Sequence, residues 1–363
     1  MRMRTRATIR GVEPVQAVRG RLAGALVLAG IATLALAESP DPPVPLFAEH
    51  ETASLSVEVS APWRTLRRQR EDAGPFAAAL RVEGIERTFE ATVEKRGISR
   101  QEICSMPPIR LRFDEERVDG TLFEGNRAIK VVTHCRNGKR WTQYVVLEYL
   151  AYRLYNALTE MSFRVRAAEI TYIDSDRDRE DGPWVAFLIE DDRLVGNRHG
   201  LDKVEVEEIR PSDLPAFETS VFMLFQFMIG NVDFSPLGGD GDECCHNVKL
   251  IGEEGSLEPL FAVPYDFDSS GWVDTTYAAA PEQLPIGDVR QRLFRGFCAH
   301  NEGLEPARAL IRERREALYA IVETEARLTD RNRRKAVRYL DEYFEILDSD
   351  GRFERQVTGV CRG

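Results

Sequence analysis

Gly230-Asn231-Val232-Asp233-Phe234-Ser235, an acidic Gly-rich loop, Cys245-His246-Asn247-Val248-Lys249-Leu250 and then Val263-Pro264-Tyr265-Asp266-Phe267-Asp268-Ser269-Ser270-Gly271 follow one another along the chain. A carboxylate, a side-chain amide and a pair of carboxylates come in that order, each beside an apolar run able to form a strand or helix end. Phosphoryl transfer uses this inventory: one carboxylate orients the attacking hydroxyl, while an amide and another carboxylate hold the magnesium ions that neutralise phosphate charge. Asp233 is the candidate for the first role, and Asn247, Asp266 and Asp268 for the second. Asp and Asn are also ordinary turn residues, because their side chains hydrogen-bond their own backbone. The Asp266/Asp268 pair is harder to read that way. It follows the apolar Leu260-Phe261-Ala262-Val263, and in a strand both carboxylates point to one face. Two negative charges side by side require a cation, and a hard oxygen-seeking ion fits.

The chain has 363 residues, and its 43% hydrophobic content supports a substantial core in one large domain or two lobes. Its first residues carry Arg2, Arg4, Arg6, Arg10, Arg19 and Arg21 against the single acid Glu13; an apolar run, Leu22 to Ala37, then closes on Ala35-Leu36-Ala37. This pattern predicts a secretory signal over 1–37, cleaved before Glu38. An uncleaved anchor is the weaker reading, since the Ala- and Gly-rich run is short for a membrane span. Cleavage removes six basic residues and one acidic, leaving 43 Lys and Arg against 59 Asp and Glu, a net charge near −16. So acidic a protein is not built for nucleic acid, which demands a basic footprint. Six cysteines (104, 135, 244, 245, 298 and 361) all lie in the exported part and suggest disulfides in an oxidising compartment. Cys104 and Cys135, flanking neighbouring strands, are the preferred pair; Cys244 and Cys245 are expected to bond elsewhere rather than to each other. Adjacent cysteines also lack the spacing of a zinc site.

A Pro-rich linker covers 38–48. A β-rich region is expected over 49–210, with strands at 53–62, 79–82, 89–93, 109–113, 128–132, 168–173 and 184–189 and a helix over 141–158, where apolar residues recur at helical spacing. Over 211–363 the pattern turns helical: 212–229, 305–323 and 329–348, the last with Thr329 or Asp330 as cap. The segment 230–271 lies between helices.

A series of motifs in order now carries a resemblance. Arg96-Gly97-Ile98-Ser99 comes first, then the strand Ile109-Arg110-Leu111-Arg112-Phe113, then Lys130-Val131-Val132 leading to the helix at 141–158. Phe187-Leu188-Ile189-Glu190 is a strand ending in Glu; Asn231 and Asp233 follow, then Asn247, then Pro264–Gly271. Over roughly residues 50–275 the chain resembles the CotH kinase family, named for spore coat protein H, an atypical branch of the protein-kinase fold. The resemblance implies an α+β, two-lobed kinase-like fold with a β-rich N-lobe and a helical C-lobe. It also implies ATP and Mg²⁺ (or Mn²⁺) as cofactors, and transfer of the γ-phosphoryl to Ser or Thr of a protein. Asp233 would be catalytic; Arg96, Ser99, Arg110, Arg112, Lys130 and Glu190 would lie at the nucleotide; Asn247, Asp266 and Asp268 would hold metal. Relatives modify basic, Ser-rich coat proteins. Nothing here shows a sporulating source, so only a protein substrate, basic and Ser-rich by analogy, is expected.

Three departures matter. Ordinary kinases place the Asn about five residues after the catalytic Asp, whereas Asp233 and Asn247 are fourteen apart. Pro107-Pro108 replaces the Lys that many relatives carry before the basic strand, so the phosphate cation is open among Arg110, Arg112 and Lys130. The inserted loop holds Asp240, Asp242 and Glu243, which either crowd the site or form a solvated loop held by Cys244 or Cys245. Lys130 itself either snorkels from a strand edge or reaches into a cleft. Glu190 is either a strand end before an acidic turn or a nucleotide neighbour. His246 is expected to pack beside Asn247. Two other classes remain open: a catalytically inactive kinase-like envelope protein, since ATP is scarce outside the cytoplasm, and a surface protein binding calcium through Asp240, Asp242, Asp266 and Asp268.

Overall fold

Alternation of apolar and polar residues in the first half builds seven strands whose apolar faces meet: β1 (Leu55–Ala61), β2 (Phe76–Val82), β3 (Thr88–Lys95), β4 (Ile109–Arg112), β5 (Ala128–Val132), β6 (Val165–Asp174) and β7 (Arg179–Ile189). In the computed structural model they form a closed barrel in the order β1-β2-β3-β4-β5-β7-β6. Every neighbouring pair is antiparallel except the closing one, where β1 and β6 run parallel from Leu55↔Ala168 to Ala61↔Asp174. Val57, Val59, Leu80, Val93, Ile109, Leu111, Ile129, Val131 and Ile170 fill the interior. The structure describes residues 44–48, 54–69, 74–97, 99–238, 244–256 and 258–363. The expected signal (1–37), most of the linker at 38–48 and the acidic residues Asp240, Asp242 and Glu243 lie outside them.

Four short helices decorate the barrel: α1 (Pro45–Ala48), α2 (Trp63–Arg68), α3 (Ser99–Ile103) and α4 (Glu115–Val118). The long α5 (Lys139–Asn156) packs on the outer face of β6 and β7. After α6 (Asp192–Asn197), a second, three-stranded sheet forms from β8 (Asp202–Val204), β9 (Val248–Gly252) and β10 (Phe261–Pro264), in the order β10-β9-β8. The remaining helices are α7 (Ala216–Ile229), α8 (Asn301–Glu313), α9 (Arg315–Glu323), α10 (Asp330–Leu347) and α11 (Asp350–Gln356). The helix expected over 305–323 is therefore two, broken at Arg314, and Thr329 caps α10 by accepting from the Asn332 N–H at 3.4 Å.

This architecture corrects the expected two-lobed kinase-like fold, although the α+β class holds. The β-rich half closes on itself instead of remaining an open sheet. The core also ignores the expected boundary near residue 210. One cluster joins Val146, Leu150 and Leu154 of α5 and Phe187 of β7 to Phe222 and Phe225 of α7, Val263 of β10 and Leu340 and Leu347 of α10. Residues 40–363 accordingly form a single compact unit. The second half is not purely helical either, since it contributes β9 and β10 and a long turn-rich stretch after Pro264.

The six cysteines lie as three close pairs. Cys104 and Cys135 are joined as expected, with their Cα atoms 4.4 Å apart, and Cys298 joins Cys361. Cys244 and Cys245 pair with each other, against expectation. Such pairing fits an oxidising environment. Among the described residues, no helix is long and apolar enough to cross a membrane.

Candidate functional site

Helix α7 ends at Gly230, whose φ of 61° turns the chain back, and a Cβ there would run into the Tyr339 hydroxyl. The reversal delivers Asn231, fully buried, whose amide donates to Gln226 Oε1 at 3.0 Å and whose Oδ1 accepts the Asp233 N–H at 3.0 Å. Arg295 donates to the Phe234 carbonyl at 2.8 Å and to that of Val232, so the backbone on both sides of Asp233 is fixed. The long insertion after Asp233 is looped out. Ser235 and His246 exchange both backbone hydrogen bonds, at 2.9 and 3.0 Å, and bring the two ends of the loop together. Asn247 then donates from Nδ2 to the Asp233 carbonyl at 2.8 Å and to its Oδ2 at 3.2 Å. His246 Nε2 lies 2.8 Å from Asp233 Oδ1. Both Asp233 oxygens are oriented, yet its side chain remains 41% exposed. His246 lies beside Asn247 as expected, its Nε2 3.4 Å from Asn247 Nδ2, but its side chain is 40% exposed.

The acidic pair reaches a common partner by a different route from the one expected. Strand β10 stops at Pro264, and Asp266 has a left-handed φ of 63° with its N–H donating to the Tyr152 hydroxyl at 2.9 Å. Asp266 and Asp268 are thus in a turn, not on one strand face. Both nevertheless meet Arg100 of α3. Its Nη2 lies 2.5 Å from Asp266 Oδ1, its Nε 3.1 Å from Asp268 Oδ2 and its Nη1 3.4 Å from Oε2 of Glu148 on α5. Tyr277 donates to Asp268 Oδ2 at 2.8 Å. Arg100, Glu148 and Asp268 are all buried. Burial works against the Arg100 charge, but Asp266, then Asp268 and Glu148, outweigh it and hold the guanidinium proton well above its ordinary value. Burial pushes the Glu148 carboxyl upward, Arg100 opposing it, with Asp268 and Asp266 adding to the rise.

Cations gather on the barrel side. Lys130 lies on β5 between β4 and β7, so it is not an edge residue, and it points out of the barrel, its neighbours Ile129 and Val131 filling the interior. Its Nζ sits 4.9 Å above the Phe163 ring and 5.3 Å from that of Tyr265, buried and without a hydrogen-bond partner among the described residues. Burial lowers its pKa to about 8, with Asp192 pulling the other way. Lys249 approaches the same Tyr265 ring at 5.5 Å. Arg96 Nε is likewise buried and unpartnered; burial, then Arg100, draws its pKa down, while Asp266 opposes. Ser99 begins α3, and its side chain lies outside the described residues.

Other expected nucleotide neighbours have their side chains committed elsewhere. Arg110 and Arg112 both pair with Glu94, at 3.2 and 2.9 Å. Glu190 is 1% exposed, binding Arg198 at 2.6 Å and the Arg164 N–H at 2.5 Å. Arg100, Glu148 and Lys249 escaped the sequence reading. Arg100 stood beside the Arg96–Ser99 motif, while Glu148 hides in an apolar helical pattern.

The two aspartates expected to ligate metal do not fit an ion as they are arranged, because a guanidinium lies between them. Asn247 turns its Nδ2, and not the Oδ1 that would ligate an ion, to Asp233. Among the described residues no three His, Cys, Asp or Glu side chains converge to hold one. The same guanidinium occupies Asp266 and Asp268, two of the four aspartates of the calcium reading; Asp240 and Asp242 lie outside the described residues. No family model matches the chain, and no curated protein matches it.

Proposed function

We propose that the chain is an exported phosphotransferase that moves the γ-phosphoryl of ATP to a Ser or Thr hydroxyl of a protein, as its resemblance to CotH kinases implies. One observation supports this above the rest: Lys130 Nζ and Arg96 Nε are buried without a hydrogen-bond partner among the described residues, and Asp233 is an oriented, accessible carboxylate. An unpaired buried charge is costly, and a phosphate group repays that cost with charge-assisted hydrogen bonds. Lys130 and Arg96 hold the nucleotide phosphates, with Lys249 near the same Tyr265 ring. Asp233 takes the proton as the acceptor oxygen bonds to the γ-phosphorus and the bond to the β-γ bridging oxygen breaks, releasing ADP. His246 and Asn247 keep its carboxylate aimed.

The test is transfer of label from γ-labelled ATP to a Ser/Thr-containing protein acceptor by the full chain and by Asp233→Asn. The variant should keep its nucleotide-dependent rise in melting temperature and lose transfer by about 10²–10⁴-fold, the usual worth of a positioned base. A wild type whose melting temperature ignores nucleotide overturns the reading. A second reading, a nucleotide-binding protein that does not turn over, is favoured by Arg100 engaging both acids; a nucleotide response without any transfer in the wild type would select it.

A further inference from the structure

The three carboxylates of Asp266, Asp268 and Glu148 come from two distant stretches of chain and meet on one side chain of a third. Each nitrogen of the Arg100 guanidinium faces a different carboxylate: Nη2 faces Asp266, Nε faces Asp268 and Nη1 faces Glu148. Arg100 is only 8% exposed, so its guanidinium has largely exchanged water for these three groups. Hard divalent ions bind carboxylate oxygens at about 2.0–2.6 Å. The oxygens that such an ion would need already face nitrogen at 2.5 and 3.1 Å, and an added dication would sit against a fixed positive charge.

We propose that Arg100 is the resident cation of this site, replacing a divalent ion between Asp266 and Asp268. It neutralises the acidic pair from within the chain and keeps both aspartates from binding metal. The placement is secured from two sides. Arg100 lies on the five-residue α3, and Cys104, tied to Cys135, follows that helix directly. On the opposite side Tyr277 fixes Asp268, and the Tyr152 hydroxyl holds the backbone of Asp266. The inference goes beyond the phosphotransferase reading and does not rest on it, because it concerns the protein without nucleotide or acceptor.

The probe is Mn²⁺ alone, followed by the loss of its free-ion paramagnetic resonance signal as it is titrated into the full chain without nucleotide. Wild type should leave the ion free. Arg100→Gln should gain a saturable site, binding Mn²⁺ roughly tenfold or more tighter than wild type. Asp266→Asn in that background should abolish the gain. Saturable binding by wild type that Asp266→Asn or Asp268→Asn removes would overturn the proposal, as would a folded Arg100→Gln that takes up no ion. If Arg100→Gln does not fold, Arg100→Gln with Glu148→Gln removes the guanidinium together with one buried charge, leaves both aspartates in place and is read by the same criteria. Failure of phosphotransfer would leave this result untouched, since neither ATP nor acceptor enters the measurement.

Discussion

Lys130 and Glu190 differ by a single step across the barrel wall. Lys130 pairs in register with Ile189 on the neighbouring strand, and Glu190 is the next residue. Both side chains are buried, yet their surroundings are opposite. Glu190 is met by the Arg198 guanidinium and the Arg164 backbone N–H, and Arg198 also donates to the Ser162 carbonyl at 2.8 Å. Lys130 meets two aromatic faces and, among the described residues, no hydrogen-bond partner. A closed charge holds the fold together; an open one is a cost until something outside the chain completes it. The sequence reading placed both residues at the nucleotide. The surroundings separate them.

The largest effect should come from breaking the closed member. Arg198→Ala leaves Glu190 buried and uncompensated, and should lower stability by about 3–5 kcal/mol, read from denaturant midpoints at unchanged slope. Any nucleotide response of the folded variant should persist. Next, Cys104→Ser with Cys135→Ser releases a closed loop spanning a sequence separation of 31. In the chain-entropy model that loss is about 3–4 kcal/mol, checked by the same unfolding measurement.

Opening the comparison from the other side gives a gain. Lys130→Met should raise the stability of the ligand-free protein by about 1–3 kcal/mol near pH 7, by removing a buried charge that no hydrogen bond satisfies. It should abolish the rise in melting temperature with nucleotide. The sign of the pH dependence follows from the lowered pKa. Folded Lys130 releases its proton near pH 8, the unfolded residue near the ordinary lysine value of 10.5. Between these values the unfolded state binds more protons, so this residue makes wild type more stable as pH rises, and the advantage of Lys130→Met shrinks across that window. A wild-type lysine that destabilises nothing would mean that its charge is already satisfied.

The smallest effect is the most specific. A phosphate brought beside Lys130 favours its charged form, so nucleotide binding near pH 8 should take up a fraction of a proton. Calorimetry in two buffers of different ionisation enthalpy measures that uptake, and Lys130→Met should lack it. Equal heats in both buffers would separate Lys130 from the phosphates.

Much of this was legible locally. Val57 and Val59 announce β1, and the apolar spacing in 141–158 announces α5 to within two residues at either end. Asp233 and Asn247, expected to serve one site, do meet in space, because the insertion between them returns to its starting point. Barrel closure was not legible, since the parallel register of β1 on β6 joins segments more than a hundred residues apart and leaves no trace in either strand's own pattern. Arg100 was missed for a related reason. Its helix is too short to show periodicity, and its partners lie in distant parts of the chain. Asp266 and Asp268 were expected on one strand face beside a metal; a left-handed turn instead brings both to Arg100.

The parallel seam between β1 and β6 also bears on assembly. Strand β1 finds β2 within about twenty residues, but its other edge stays open until Val165–Asp174 has been made. Throughout that interval a strand carrying Val57 and Val59 presents unpaired backbone to whatever is near, the situation in which chains aggregate or bind a holdase. Closing that seam needs a pairing of high sequence separation, which is costly in loop-closure entropy. A fragment ending before β6 would therefore carry an exposed template rather than half a domain.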